Sequence, residues 1–393
     1  MKAGALVLVL ALAGCVAEVG EPLTAPPRLP RPVPIVPVFD LLPVQPTLAQ
    51  LRAELTGPQV ELYLRRLAPM AVGRSLRADE IALVTQQGGA ALPALIEAWT
   101  REEGFVLMAR EWISTKLKAS GKRGDLNFEL PGNLAAHLAR NRLPHSELLT
   151  ASYCIDDSGA KGPCDTGAPY AAGVLTTRAF LANNASRFNL KRARTALRTF
   201  GCKDYPMPVA EQPPLARAVL IPLFQQDKVE GTASGTFGNG FACYTCHSQF
   251  GAHAQPYVKF DQDGRWVEGA TGRQLEGGEQ GRSTGGLFTS HLIDPETSRL
   301  ERSQIFGSPV ENLAGLAEAY AQSPAFWSCS VGGLLGFAFG LPESTVFSLP
   351  NDILDDVVSA AKAKEPRPSL AMLAIEAFSH PAVVRSFDPK ESP

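Results

Sequence analysis

The sequence predicts a mainly α-helical protein, and three observations lead to this expectation. Apolar residues recur at the spacing of amphipathic helices, most clearly over 59–68, 78–86, 90–101 and 105–117. Glycine or proline separates these stretches, and the alternating pattern of strands is rare. Hydrophobic residues make up 45% of the 393 residues and charged residues 19%, which is enough apolar material for a packed core. We therefore expect a multi-helix body with long Gly/Pro-rich loops.

The globular part is expected to begin at Thr47. Thr47 and Gln50 have the spacing of a capping box, in which each side chain accepts from the other residue's backbone N–H at a helix start. Leucines then follow at helical spacing. Residues 15–46 are dense in proline, which discourages both helix and sheet. We expect them to form a semi-rigid linker.

The first residues predict export. Lys2 precedes an apolar run over 3–13, which is too short to span a bilayer but suits the core of a secretory signal peptide. The run ends in Leu-Ala-Gly-Cys, which resembles the bacterial lipobox, so that 1–14 would be removed and Cys15 would carry a lipid. The alternatives are an ordinary cleaved signal peptide with an incidental cysteine, or an uncleaved anchor. We expect an exported bacterial lipoprotein at the outer membrane, on its periplasmic side or at the cell surface, held to the membrane by a lipid anchor.

The charge balance disfavours a nucleic-acid partner. The 37 lysine and arginine residues nearly match the 39 aspartate and glutamate residues, so the formal net charge is −2 and no basic footprint is present. The sequence has no P-loop, G-x-G-x-x-G or H-E-x-x-H motif. No pairing of carboxylates and no Ser/His/Asp order argues for acid–base or nucleophilic catalysis. We therefore assign no catalytic residues.

One short motif gives the sharpest functional signal. Cys243, Cys246 and His247 form C-x-x-C-H, the attachment sequence of c-type haem. Two thiols with this gap bond to the haem vinyl groups, and the adjacent histidine binds iron from the proximal face. The motif occurs once, so the sequence predicts one covalent haem c. The alternatives are a redox C-x-x-C, which needs a thioredoxin-like βαβ setting, and half of a zinc site, which needs a second ligand pair.

The sixth iron ligand decides whether such a haem carries electrons or performs chemistry. Met207 lies between prolines in Tyr-Pro-Met-Pro, whose extended backbone can present a thioether, and it is the candidate distal ligand. The alternative is a loop methionine packed at the surface. His253 lies too near His247 in the sequence to reach the opposite haem face easily. Three more histidines are candidate iron ligands, although we expect their side chains to be exposed to solvent instead: His145, His291 and His380.

Four cysteines remain besides the motif and Cys15, an even number in an oxidising compartment. They allow three disulfide pairings. Cys154 and Cys164 bracket a turn-rich loop, whose short closure favours that pair and leaves Cys202 with Cys329. The alternative is four unpaired structural thiols.

Segments on both sides of the haem motif carry a family resemblance. Residues 260–266 read Phe-Asp-Gln-Asp-Gly-Arg-Trp, and further matching segments occur over 173–206 and 316–340. They are similar to the planctomycete-type family of exported cytochrome-c-like proteins, in which the haem motif is followed by F/Y-D-x-x-G-x-W/R. The chain departs from that family at 250–252, where Phe-Gly-Ala replaces the usual M/I-D-P. The resemblance implies a cytochrome-c-like haem region over 148–393, and it supports the pairing of the last two cysteines.

These features predict a lipid-anchored mono-haem c-type cytochrome that passes single electrons to a redox partner protein outside the cytoplasm. The expected regions are a signal peptide over 1–14, a linker over 15–46, an N-terminal helical region over 47–147 and the haem region with C-terminal helices over 148–393. One alternative is a haem enzyme of oxidoreductase or peroxidase type with an open sixth iron position. The other is a surface binding protein in which the haem is only a relay.

Overall fold

The computed structural model describes residues 46–221, 224, 240–269, 290–346 and 349–386. It is 60% helical with few short strands, so the prediction of a mainly α protein is confirmed. From Pro46 onward the chain forms one compact unit. The predicted signal peptide, Cys15 and nearly all of the linker lie outside the described residues. Among the described residues, no helix is long and apolar enough to cross a membrane.

Helices α1 to α9 precede the haem motif: Leu48–Ala53, Gly57–Ala71, Ala78–Gln87, Leu92–Trp99, Glu103–Leu117, Leu130–Arg140, Glu147–Thr150, Arg178–Asn183 and Leu190–Gly201. Helix α10 carries the motif, and α11 to α17 follow it: Gly240–Ala254, then Pro295–Ser298, Leu313–Gln322, Pro324–Phe339, Glu343–Val346, Asn351–Lys364, Leu370–Phe378 and Pro381–Arg385. The described strands β1 to β6 form three antiparallel pairs in chain order: Lys122–Arg123 with Leu126–Asn127, Cys154–Ile155 with Lys161–Gly162, and Ser303–Ile305 with Ser308–Val310.

The N-terminal helices lie where the sequence predicts them. The amide of Gln50 donates to Thr47 Oγ1 at 3.2 Å, and the amide of Thr47 donates to Gln50 Oε1 at 2.8 Å, so the capping box at the start of α1 is confirmed. Helix α4 begins at Leu92 rather than at 90, because Gly88–Ala91 forms a 3₁₀ turn before it. Helices α2, α3 and α5 cover the other predicted stretches.

One apolar core, the main core, draws on both sides of the predicted boundary between 147 and 148. Trp99 and Phe105 come from the N-terminal side, while Phe326 and Phe378 come from the C-terminal side. All four side chains are at most 1% exposed. The two predicted regions therefore contribute to a shared core.

The structure places the four remaining cysteines in the two favoured pairs. Cys154 and Cys164 are bonded with their Cα atoms 4.9 Å apart, at the β3–β4 hairpin. Cys202 and Cys329 are bonded with their Cα atoms 5.2 Å apart. Both separations are ordinary for disulfides. The second bond ties the C-terminal end of α9, which precedes the haem motif, to α13, which follows it.

Candidate haem-attachment site

The C-x-x-C-H motif lies in the N-terminal half of helix α10. Residues three and four positions apart on a helix share a face, so this helix brings Cys243, Cys246 and His247 together. Both thiols are unbridged and half-buried, whereas the other cysteines in the described part of the chain are disulfide-bonded. The helix therefore presents two thiols and an imidazole side by side.

His247 is held in a fixed orientation. Its side chain is buried, and its Nδ1 lies 3.0 Å from Nε2 of His291, within hydrogen-bond distance. The ring of Phe224 stacks on the imidazole, with centroids 4.2 Å apart and planes 15° apart. A ring stacked on the face does not block the in-plane lone pair of Nε2. Because Nδ1 is engaged with His291, iron ligation would fall to Nε2.

His291 is itself placed by backbone pairing. The amide of Ile221 donates to the carbonyl of His291 at 2.8 Å, and the amide of Ile293 donates to the carbonyl of Val219 at 3.0 Å. His291 is 1% exposed, so the expectation that it is an exposed side chain is wrong. Burial first, and then His247, hold the pKa of His291 well below its usual range. Its imidazole is therefore neutral at physiological pH.

A small apolar cluster lines the motif. It consists of the buried side chains of Phe188, Leu220, Ile221 and Phe224, and Cys243 packs against it. An apolar, aromatic wall suits a porphyrin, whose faces are apolar and whose iron chemistry depends on the exclusion of water. The small cluster, the two unbridged thiols and the oriented imidazole together fit a covalently attached haem.

The competing interpretations of the motif find less support. Burial, and then the charge of Asp204, raise the pKa of the Cys246 thiol, which disfavours the thiolate that a redox C-x-x-C needs. The described strands form only two-stranded sheets, which is not a thioredoxin-like βαβ setting. No group of three His, Cys, Asp or Glu side chains in the described residues is arranged to hold a metal ion. A thioether-linked haem requires no such group, because its thiols bond to the porphyrin and only the histidine binds iron.

The C-terminal half of α10 is fixed by amide side chains. Nε2 of Gln249 donates to the carbonyls of Met207 and Gln212, each at 2.8 Å, and its Oε1 accepts the amide hydrogen of Met207 at 2.7 Å. Side chains two positions apart on a helix point about 200° apart, so Gln249 and His247 lie on nearly opposite sides of α10. The Met207 side chain is buried in the main core. Iron ligation by Met207 stays a prediction, and this placement argues against it.

His253 is completely buried, and both of its ring nitrogens have partners. Nε2 lies 2.9 Å from Gln212 Oε1, and Nδ1 lies 3.1 Å from the Tyr320 hydroxyl. Gln212 Oε1 also accepts the amide hydrogen of Phe306 at 2.8 Å. Because an amide oxygen only accepts, the proton of His253 lies on Nε2, and Nδ1 accepts from Tyr320. Burial lowers the pKa of His253 to about 3, so this histidine is a neutral structural group.

Two further histidines are buried, contrary to expectation. His145 lies between the rings of Trp112 and Phe326, with centroids 5.8 Å and 5.6 Å away, and its Nε2 is 3.2 Å from Ser330 Oγ. His380 caps α17 by accepting the amide hydrogen of Ala382 at Nδ1. Each of the two histidines is built into the protein interior. Sequence neighbours such as a flanking proline carry no information about these distant contacts.

Two residues of the site, Gln212 and Gln249, were not singled out by sequence reasoning, and neither was the hydrogen bond between His291 and His247. Their hydrogen bonds reach partners from 37 to 94 positions away, which no local pattern reveals. Gly251 offered one signal. A Cβ added there would lie 3.0 Å from the Cβ of His291 and 3.0 Å from Cδ1 of Leu215, so glycine permits this close approach.

Comparison with protein-family models, curated proteins and solved structures finds no match for this chain. The site is therefore interpreted from its own residues.

Proposed function

We propose that the protein is a lipid-anchored mono-haem c-type cytochrome that transfers single electrons outside the cytoplasm. The observation that carries the proposal is the pair of unbridged thiols on the helix of an oriented His247: Cys246 directly precedes it and Cys243 lies about one turn before it. A bound haem would supply an iron that changes oxidation state by one electron.

The residues of this chain have distinct parts in the proposal. Cys243 and Cys246 anchor the porphyrin by thioether bonds, and His247 Nε2 is the proximal iron ligand. The small cluster keeps water from one side of the site and so helps to set the reduction potential. The proposed haem-binding region spans 148–393, and the sequence segments that resemble exported cytochrome-c-like proteins lie within it.

The proposed location rests on separate features. Leu-Ala-Gly-Cys at the end of an apolar run supports export and lipid attachment at Cys15, and the proline-dense linker would separate the body from the membrane. Disulfide-bonded cysteines persist in oxidising compartments, which agrees with a place outside the cytoplasm. The partner would be a second redox protein, and none of these features favours nucleic acid.

A redox titration with carbon monoxide tests the proposed function. The mature protein, produced together with a haem-attachment system, should titrate as a single one-electron couple. Its reduced spectrum should be unchanged by carbon monoxide, since an electron carrier has both axial positions filled. A spectrum shifted by carbon monoxide would show an open sixth position and would favour a haem enzyme instead.

A cysteine control separates attachment from general folding. The Cys243→Ser, Cys246→Ser double variant should carry no covalent haem. The matched double variant Cys154→Ser, Cys164→Ser removes the same number of cysteines, here a disulfide at the β3–β4 hairpin, and should retain the full haem content per folded protein. Equal haem in both variants would contradict the assignment of the motif.

A further inference from the structure

We propose that His291 is a positioning residue for the haem ligand: it accepts a hydrogen bond from Nδ1 of His247, orients that imidazole and lowers the reduction potential of the iron. The inference rests on the proposed function, because it assigns a role to a residue that would not touch the haem. The observation behind it is the 3.0 Å separation of His247 Nδ1 and His291 Nε2.

The direction of this hydrogen bond follows from ligation. Only one hydrogen can lie between the two nitrogens. Iron takes the lone pair of His247 Nε2, so the neutral ligand carries its proton on Nδ1. His247 therefore donates, His291 Nε2 accepts, and the proton of His291 is on its own Nδ1.

The acceptor is held by the backbone as well as by side chains. The segment 291–293 pairs with 219–221 through two backbone hydrogen bonds, which fixes where the His291 side chain starts. The rings of Phe188 and Phe224 lie 5.1 Å and 5.2 Å from the His291 ring and limit its rotation. The distance between the two imidazoles is thus set by the fold.

The same geometry separates His291 from the role of distal ligand. Nδ1 and Nε2 are on different edges of the His247 ring, and His291 faces the Nδ1 edge. A group hydrogen-bonded at Nδ1 lies behind the ligand as seen from the iron, and so cannot bind the opposite face of the same haem. His291 acts through His247.

A hydrogen-bond acceptor behind a metal-bound histidine makes that histidine a stronger electron donor. Stronger donation favours the oxidised iron, so the reduction potential falls. Loss of the acceptor should therefore raise the potential, even where the haem remains covalently attached. A purely structural role for His291 would lower stability without this shift.

Two substitutions at one position test the inference. In the haem-loaded protein, His291→Leu removes the acceptor and should raise the midpoint potential. His291→Gln supplies an amide oxygen that can accept from Nδ1, and it should return the potential toward the wild-type value. His145→Leu is the matched control, because His145 is equally buried but contacts Trp112 and Phe326 instead of α10; its potential should be unchanged.

A second readout does not depend on a variant that folds. In the ferrous wild-type protein labelled with ¹⁵N-histidine, which is diamagnetic when both axial positions of the haem iron are filled, a scalar coupling should join His247 Nδ1 and His291 Nε2. The inference is overturned if this coupling is absent, or if His291→Leu loads haem at an unchanged potential. Absence of covalent haem from the wild-type protein would instead overturn the proposed function itself.

Discussion

The two halves of helix α10 differ in how their side chains are bonded. In the C-terminal half, Gln249 and His253 are buried, and each makes hydrogen bonds to residues of other segments. Gln255, in the 3₁₀ turn that follows α10, does the same, since its Nε2 donates to the carbonyls of Thr297 and Ser298, each at 3.2 Å. In the N-terminal half, the thiols of Cys243 and Cys246 are half-buried and unbridged beside the small cluster.

This difference separates structural groups from reactive ones. Buried polar groups are costly unless they are hydrogen-bonded, so the bonded amides and imidazole of the C-terminal half serve to dock the helix into the body. The thiols of Cys243 and Cys246 form no disulfide, whereas the other described cysteines are bonded in pairs. The N-terminal half is therefore the part of α10 that we assign to haem.

The largest expected effect contrasts two histidines on this one helix. His247→Ala removes the proposed iron ligand and should abolish the wild-type haem spectrum. His253→Gln leaves the motif intact and should preserve that spectrum, while the loss of the acceptor for the Tyr320 hydroxyl lowers the free energy of unfolding by about 1–3 kcal/mol. Absorption spectra and urea denaturation of both variants provide the measurement.

The opposite pattern would break the comparison. If His253→Gln changed the haem spectrum and His247→Ala did not, then the functional half of α10 would have been misassigned.

A second prediction concerns the amide network alone. Gln212→Leu leaves the buried donor His253 Nε2 and the half-buried amide of Phe306 without their acceptor. The buried donor alone costs about 1–3 kcal/mol when it is unsatisfied, so the free energy of unfolding should fall by at least that amount. Gln322→Leu, on the exposed surface of α12, is the matched control and should change stability by about 0.5 kcal/mol or less. If urea denaturation gave the same decrease in the free energy of unfolding for Gln212→Leu and Gln322→Leu, the stabilising role of the amide network would be refuted.

The third prediction is a dependence of stability on pH, a gradual effect spread over several pH units. Burial lowers the pKa of His145 and His253 to about 3 each, whereas an unfolded histidine has a pKa of about 6.5. Between these values the unfolded chain binds protons that the folded chain excludes. The free energy of unfolding should therefore fall as the pH drops from about 6.5 toward 3, by up to about 1.4 kcal/mol per pH unit for each histidine.

Denaturation at several pH values checks this expectation. His145→Phe removes one of the two titrating histidines. The slope of the free energy of unfolding against pH should therefore decrease by the contribution of His145. Phe326→Leu alters the same aromatic stack without removing a titratable group, so it should lower stability but leave the slope unchanged. An unchanged slope in His145→Phe would contradict the assigned proton linkage.

Local features of the fold could be predicted from the sequence. The capping box at Thr47 and helices α2, α3 and α5 depend on spacing within one or a few turns, which the sequence displays directly. The proposed haem attachment also rests on a local feature, because the C-x-x-C-H motif is five consecutive residues. These parts required no knowledge of tertiary contacts.

The surroundings of the site could not be predicted in the same way. His145 bonds to Ser330 across 185 positions, and His253 bonds to Tyr320 across 67, so the sequence around each histidine says little about its burial. Met207 has an extended, proline-flanked context that suggested a ligand, yet its backbone is bonded to Gln249 on the side of α10 away from His247. Such placements follow from how distant segments pack.

The most direct test of the central claim is the intact mass and absorption spectrum of the purified mature protein, produced with a haem-attachment system and measured in both oxidation states. The account predicts a mass that exceeds the polypeptide by one haem, a haem absorption spectrum that survives denaturation, and loss of both in the Cys243→Ser, Cys246→Ser variant. A polypeptide mass without haem, or haem that is released on denaturation, would contradict it.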